Sequence, residues 1–303
     1  YRLNVGGSGS SATINVNANG TINLITGSVD IGGTRTSVAM QAAEVLGIPV
    51  EDVNPQIVDT DSVGWTGGTG GSRIAFDTGR AAINTAEEVI SKMSDRAALI
   101  WEVQSSDVEF NDGVFICTKN TNDRFTFKEL ASRLMDTGGP VTCSAVDKQG
   151  GVGANLAGHI ADVEVDPETG KVDILRYTTF IDAGKSVHPS YVEGQMQGGA
   201  LQGIGWALNE EYYMTDDGTM ANSSFLDYRM PTSLDLPMLD TVIIEVENPR
   251  HPFGIRGVGE TVLIPPMATM ANAIYDAIGV RMSQLPMSPG AILNAIQSQD
   301  SKQ

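Results

Sequence analysis

The stretch His251-Pro252-Phe253-Gly254-Ile255-Arg256-Gly257-Val258-Gly259-Glu260-Thr261 decides how this chain is read. Three glycines within six residues open backbone conformations closed to other residues and permit close approach to another group. One carboxylate, Glu260, follows them and begins the apolar run Val262-Leu263-Ile264-Pro265-Pro266-Met267-Ala268. Pro265 and Pro266 suit the first turn of a helix, where a missing N–H costs nothing. A carboxyl group between a glycine turn and an apolar wall is expected to be partly desolvated, as suits a general base. Taken alone, Glu260 has a simpler reading, in which it complements the positive end of the following helix.

Working outward, the 34 glycines fall in clusters at 32–33, 67–71, 150–153, 194–205 and 254–259. Clusters of this kind outside a low-complexity context suggest several loops converging on something bulky. Residues 194–205 read as a helix carrying five glycines, each costing roughly 1 kcal/mol relative to alanine. Such a helix requires close approach to a neighbour or a ligand. Gln195, Gln197 and Gln202 add neutral donors to its small-residue surface. The loop 64–73 feeds a long helix predicted over 74–103. Ser72 is placed to cap that helix, and Arg73 offers a bidentate donor for phosphate or carboxylate. The turn 27–36 precedes a helix over 37–46 and is a generic anion cradle, although neither a dinucleotide fingerprint nor a Walker motif is present.

The remaining elements give an α+β fold. Alternation over 11–17, the Asn19-Gly20 turn and the return over 21–25 form a hairpin, and 53–58 is a further strand. Hairpins are predicted over 107–118 and 158–181, and strands over 142–146 and 242–246. Helices are expected over 126–135, 266–278 and 288–296. The glycines at 150–153 mark a change of lobe, dividing the chain into 1–148 and 149–303. No repeat of 20–50 residues is present, which excludes a solenoid or propeller.

Composition narrows the partners. The 37 acidic against 19 basic residues give a net charge of −18, and no basic cluster offsets it, so nucleic acid is not an expected partner. No apolar run reaches the roughly 18 residues of a membrane span, and no secretory pattern opens the chain. Cys117 and Cys143 lack metal-ligand spacing and read as reduced, buried thiols of a cytoplasmic protein. His188 reads as a local structural residue rather than a metal ligand.

Four stretches in this order resemble the molybdenum hydroxylases of the xanthine dehydrogenase and aldehyde oxidase family. They are Asp30-Ile31-Gly32-Gly33 with Gln41 downstream, the loop 67–73, Gly194-Gln195 through Gln202-Gly203, and Gly257-Val258-Gly259-Glu260. The resemblance covers the C-terminal part of that family's molybdopterin-binding subunit, and within the family it is most similar to the medium molybdopterin subunit of bacterial nicotinate dehydrogenases. It implies a two-lobed molybdenum-cofactor-binding domain with mixed sheets, hairpins and packed helices. The implied activity hydroxylates an N-heteroaromatic carbon with water as oxygen source, nicotinate giving 6-hydroxynicotinate. Electrons would pass through FeS clusters and FAD in partner subunits to NADP. A separate chain carrying the N-terminal half of the molybdopterin subunit is implied as a further partner. The implied cofactor is molybdenum on molybdopterin, as the cytosine dinucleotide, with a sulfido or selenido terminal ligand.

Carried over residue by residue, Glu260 matches the family's catalytic glutamate. Gly71 and Ser72 match the loop touching the molybdenum site, with Gly70 and Arg73 beside it. Gln195 matches the glutamine near the metal's ligand sphere, with Gln197 and Gly198 following. Gly32, Gly33 and Thr34 match the turn beside the pterin dithiolene. No residue is expected to bind the metal directly. One departure stands out: the family usually has glutamine where this chain has Gly33, so that hydrogen bond is expected to be absent or to come from water or a partner. A nicotinate carboxylate would require a cation, for which Arg73, Arg256 and the partner chain are candidates. Other substrates (a purine, an aldehyde, carbon monoxide) and a non-catalytic cofactor-holding subunit remain open. An unrelated phosphate-binding protein would instead place Glu260 and Gln195 far apart.

Overall fold

The computed structural model describes residues 2–5, 9–147 and 153–300. The expected lobe change at 150–153 therefore lies, apart from Gly153, outside the described residues. The strands are β1 (Arg2–Val5), β2 (Ser10–Val16), β3 (Ile22–Thr26), β4 (Val53–Ile57), β5 (Val108–Asn111), β6 (Val114–Cys117), β7 (Arg124–Thr126), β8 (Thr142–Asp147), β9 (Gly153–Val165), β10 (Val172–Asp182) and β11 (Leu239–Ile244). The helices are α1 (Thr34–Leu46), α2 (Ile74–Trp101), α3 (Phe127–Ala131), α4 (Pro189–Leu208), α5 (Gly259–Leu263), α6 (Pro265–Ile278) and α7 (Pro289–Asp300). The fold is α+β with mixed sheets. The helix expected over 126–135 is shorter, because after Ala131 the chain tightens into the 3-10 turn Leu134–Thr137 and ends at Gly138, whose φ is 118°.

Two four-stranded sheets share one topology. The first has the order β4-β3-β2-β8: β2 and β3 form the hairpin, and α1 carries the chain from β3 to the parallel strand β4. The second has the order β1-β9-β10-β11: β9 and β10 form the hairpin, and α4 crosses to the parallel β11. A parallel neighbour demands such a crossover, whereas the antiparallel pairs need only tight turns. One edge strand crosses between the sheets. β1 leads into β2 but pairs with β9, and β8 lies before β9 in the chain but pairs with β2. A small sheet β5-β6-β7 adjoins α2.

Each sheet buries one face under helices. Ile14, Ile22 and Leu24 alternate inward from β2 and β3 to meet Leu46 of α1 and Met93 of α2, all essentially inaccessible. In the second unit Tyr177 meets Ala200 and Ile204 of α4 and Met270 and Ile274 of α6. Cys117 and Cys143 are buried free thiols. No helix among the described residues is long and apolar enough to cross a membrane.

Candidate functional site

The equivalent crossover junctions of the two sheets, β3 to α1 and β10 to α4, meet each other. This is the carboxyl end of the parallel strands, where open sheets place ligand crevices. Gly32 and Gly33 at the first junction have φ of 62° and 78°, in the left-handed region that favours glycine. A β-carbon on Gly32 would fall within 2.8 Å of the Gln195 carboxamide, and one on Gly33 would strike the ring of Tyr191. The glycine pair thus rests on two residues one turn apart on α4.

The third and fourth loops close on this contact. Glu260 Oε2 accepts the Ser72 N–H at 2.8 Å, and the Glu260 N–H donates to Ser72 Oγ at 2.8 Å. Gly257 packs on the Ser72 carbonyl too closely for any side chain, and a β-carbon on Gly259 would lie 2.8 Å from Gln195 Oε1. Ser72 itself has φ 56°, a strained conformation for a residue with a side chain. Its two bonds to Glu260 hold it there. The expectation that Ser72 caps α2 is therefore corrected: its hydroxyl is turned away from the helix and no side chain caps it.

Together these loops wall a cleft of about 440 Å³. Gly32, Thr34, Ser72, Gln195, Gly198 and Glu260 line it, as do Gln202, Lys185, Tyr191 and Arg256. The glycines of α4 divide by face. Gly199 and Gly203 pack on Val262, the Leu263 carbonyl and Pro266, whereas Gly194 and Gly198 have no other atom within 4 Å of a would-be β-carbon. The expected close approach to a neighbour is present on one face, and the other face is left open. The Gln195 side chain makes no hydrogen bond among the described residues, so its amide is free to meet a ligand. Neutral amides, glycine backbone and open space fit a pterin carrying a pyrophosphate.

Several expected site residues lie elsewhere. Arg73 is 1% exposed and spends its donors inside the fold, on Asp77 and Ser10 (both 3.0 Å), the Gly68 carbonyl (2.6 Å) and the Gly67 carbonyl. A guanidinium so enclosed ties the glycine loop to α2 and offers nothing to a ligand. Burial pushes its partner Asp77 up, against the pull of Arg73. Gln197 does not line the cleft, because two residues along a helix point away from each other. Gly70 and Gly71 form the turn Gly70–Ser72 without lining the wall, Gly71 supplying φ 71°. Arg256 lines the cleft, but it is paired with Asp182 at 3.1 Å and bonded to the Ala154 carbonyl at 2.7 Å. The anion cradle before α1 is partly filled from within, since Asp30 Oδ1 accepts the Arg35 N–H at 3.0 Å. Glu260 is exposed in this chain, so the chain's own apolar run does not supply the expected desolvation. Gln41 is buried, and its amide joins the Ser37 and Ala75 carbonyls, fastening α1 to α2. His188 does serve structure: its Nδ1 accepts the Tyr191 N–H at the start of α4.

Sequence reasoning passed over Lys185 and Tyr191. Lys185 stands on the cleft with an exposed side chain, 3.7 Å from Glu245. Both sit in ordinary local contexts, and only the meeting of the two junctions sets them on the wall.

Residues 2–237 match the model of the molybdopterin cofactor-binding domain. The chain is 32% identical over 299 residues to the 6-hydroxypseudooxynicotine dehydrogenase complex subunit gamma of Paenarthrobacter nicotinovorans, covering 94% of this chain and 37% of that protein. It is 30% identical over 285 residues to the putative xanthine dehydrogenase molybdenum-binding subunit of Escherichia coli (strain K12), covering 92% of this chain and 38% of the relative. The structure of quinoline 2-oxidoreductase from Pseudomonas putida 86 superposes with a TM-score of 0.84 at 28% identity, over 95% of this chain and 38% of that one. The chain thus spans less than two fifths of the length of each. With glycine turns, a free glutamine and an anchored glutamate converging on one cleft, and with that match over most of its length, the chain belongs to the molybdopterin cofactor-binding domain family.

Proposed function

We propose that this chain is the catalytic, cofactor-holding part of a molybdenum hydroxylase that places water-derived oxygen on a small N-heteroaromatic, nicotinate giving 6-hydroxynicotinate. The observation that carries the reading is the anchoring of Glu260 by Ser72 at a cleft walled by Gln195 and glycine backbone. With Oε2 held by an N–H, Oε1 is left to take up the proton that the attacking water-derived oxygen gives away. When bound, the molybdenum cofactor supplies the two-electron oxidation. Gly32, Gly33, Thr34, Ser72, Gln195 and Gly198 are the residues that would hold it, with Gly71 shaping the turn behind Ser72. Xanthine and quinoline, named in two of the relatives above, are both N-heteroaromatics, which supports that substrate class.

In this reading the cofactor is the cytosine dinucleotide with a selenido or sulfido ligand. Partner subunits contribute the N-terminal half of the molybdopterin-binding unit, FeS clusters and FAD, and electrons reach NADP in a cytoplasmic complex. The two lobes divide near residue 148, with Arg2–Val5 exchanged into the second sheet. Arg73 and Arg256 being engaged, Lys185 is the residue that would meet the nicotinate carboxylate.

Metal analysis of the complex purified with this chain tests the reading, combined with turnover on nicotinate, xanthine, an aldehyde and carbon monoxide. Stoichiometric molybdenum and preferential hydroxylation of nicotinate are expected. Absence of molybdenum contradicts the cofactor assignment, and preference for another member of the panel contradicts the substrate.

A further inference from the structure

Tyr191 is a cleft-wall side chain to which the reading above gives no task. It lies in the first turn of α4, four residues before Gln195, so both project from the same face. Its ring stacks on His188 with centroids 3.7 Å apart and planes 13° from parallel. His188 also accepts the Tyr191 N–H at 3.3 Å, so ring and backbone are fixed together. The ring occupies the space beside Gly33: a β-carbon there would lie 2.5 Å from Tyr191 Cδ2, with Cε2 closer still. The side chain is 39% exposed, and its hydroxyl has no hydrogen-bond partner among the described residues. The hydroxyl is therefore placed by the ring's packing rather than by a hydrogen bond of its own, and it stays open to the cleft.

We propose that Tyr191 is a positioning residue for the molybdenum cofactor, its hydroxyl donating the hydrogen bond that position 33, lacking a side chain, cannot. This rests on the functional reading above. Gly33 and Tyr191 then form one arrangement: the glycine clears the space, and the phenol ring fills it from the helix face that also carries Gln195. A wall residue serving only to pack α4 would need the ring and not the hydroxyl.

Tyr191→Phe separates these roles, since it keeps the ring and its stack. In the assembled, molybdenum-loaded complex the variant is expected to keep its thermal midpoint. Its substrate-free Mo(V) paramagnetic resonance spectrum and molybdenum reduction potential are expected to shift from the wild-type values. Loss of molybdenum at unchanged thermal midpoint also supports the proposal. A substrate-free spectrum and potential identical to wild type overturn it, even if KM rises. Wild-type complex without molybdenum would instead remove the functional reading beneath it, so the two failures are distinguishable.

Discussion

Glu260 and Ser72, 188 residues apart in sequence, hold each other through two reciprocal hydrogen bonds of 2.8 Å. One side chain is fixed by the other's backbone in both directions, and the strained φ of 56° at Ser72 persists because this pair requires it. Ser72→Gly tests the pairing cleanly. Glycine accepts the conformation and keeps the N–H, and only the Oγ acceptor is lost. Thermal stability is expected to stay near wild type while kcat falls about fivefold, the equivalent of one hydrogen bond of about 1 kcal/mol. Steady-state kinetics beside a melting curve reads both.

The divided faces of α4 predict opposite outcomes for alanine. Gly199→Ala and Gly203→Ala insert a methyl group against Val262 and the Leu263 carbonyl, and each is expected to cost about 1–3 kcal/mol. Gly198→Ala meets no protein atom and should raise helix stability by up to about 1 kcal/mol. It narrows the cleft, however, so cofactor content should fall. Denaturant midpoints with molybdenum analysis of each variant check the contrast.

On the proposed reading, Lys185 separates charged from neutral substrates. Its Glu245 partner is 3.7 Å away and separately accepts the Ser186 N–H at 2.7 Å, so the lysine is only loosely held. Lys185→Ala is expected to raise KM for nicotinate roughly tenfold, the equivalent of about 1.4 kcal/mol, and to leave KM for an uncharged N-heterocycle unchanged. Equal effects on both would remove its role in substrate recognition.

Acid should weaken the fold through His251. Burial, aided by the nearby Arg80, pushes this imidazole down to about 4, and its Nδ1 accepts the Phe253 N–H at 3.0 Å in the loop leading to Glu260. The unfolded chain takes up this proton near pH 6.5 and the folded chain near 4. Stability is therefore full above pH 6.5 and declines as pH falls toward 4, by roughly 3 kcal/mol for this group. His159, pushed down to about 4 by burial, acts with the same sign. Unfolding midpoints between pH 7 and pH 4.5 should show the decline, and His251→Gln should reduce it to the part that His159 contributes.

Local chemistry made much of the fold legible. Asn19-Gly20 turns the first hairpin, period-2 alternation marks β2, and Gly47 closes α1 with φ 57°. The glycine clusters at 32–33, 67–71, 194–205 and 254–259 do converge, with Glu260 beside Gln195. The exchange of β1 into the second sheet was not legible, because strand partners are chosen by the finished sheets rather than by neighbouring residues. The roles of Ser72 and Arg73 were hidden for a similar reason. A serine and an arginine before a helix read locally as cap and anion donor, but long-range partners claim them: Glu260 for one, Ser10 and the buried Asp77 for the other.

The central claim is that the carboxylate of Glu260 moves the proton in a molybdenum-dependent hydroxylation. Glu260→Gln keeps the side-chain oxygen that Ser72 N–H requires and removes the base. Measured in the assembled complex, turnover should be lost almost entirely while molybdenum content and thermal midpoint match wild type. Turnover at the wild-type rate, with molybdenum retained, would contradict the account.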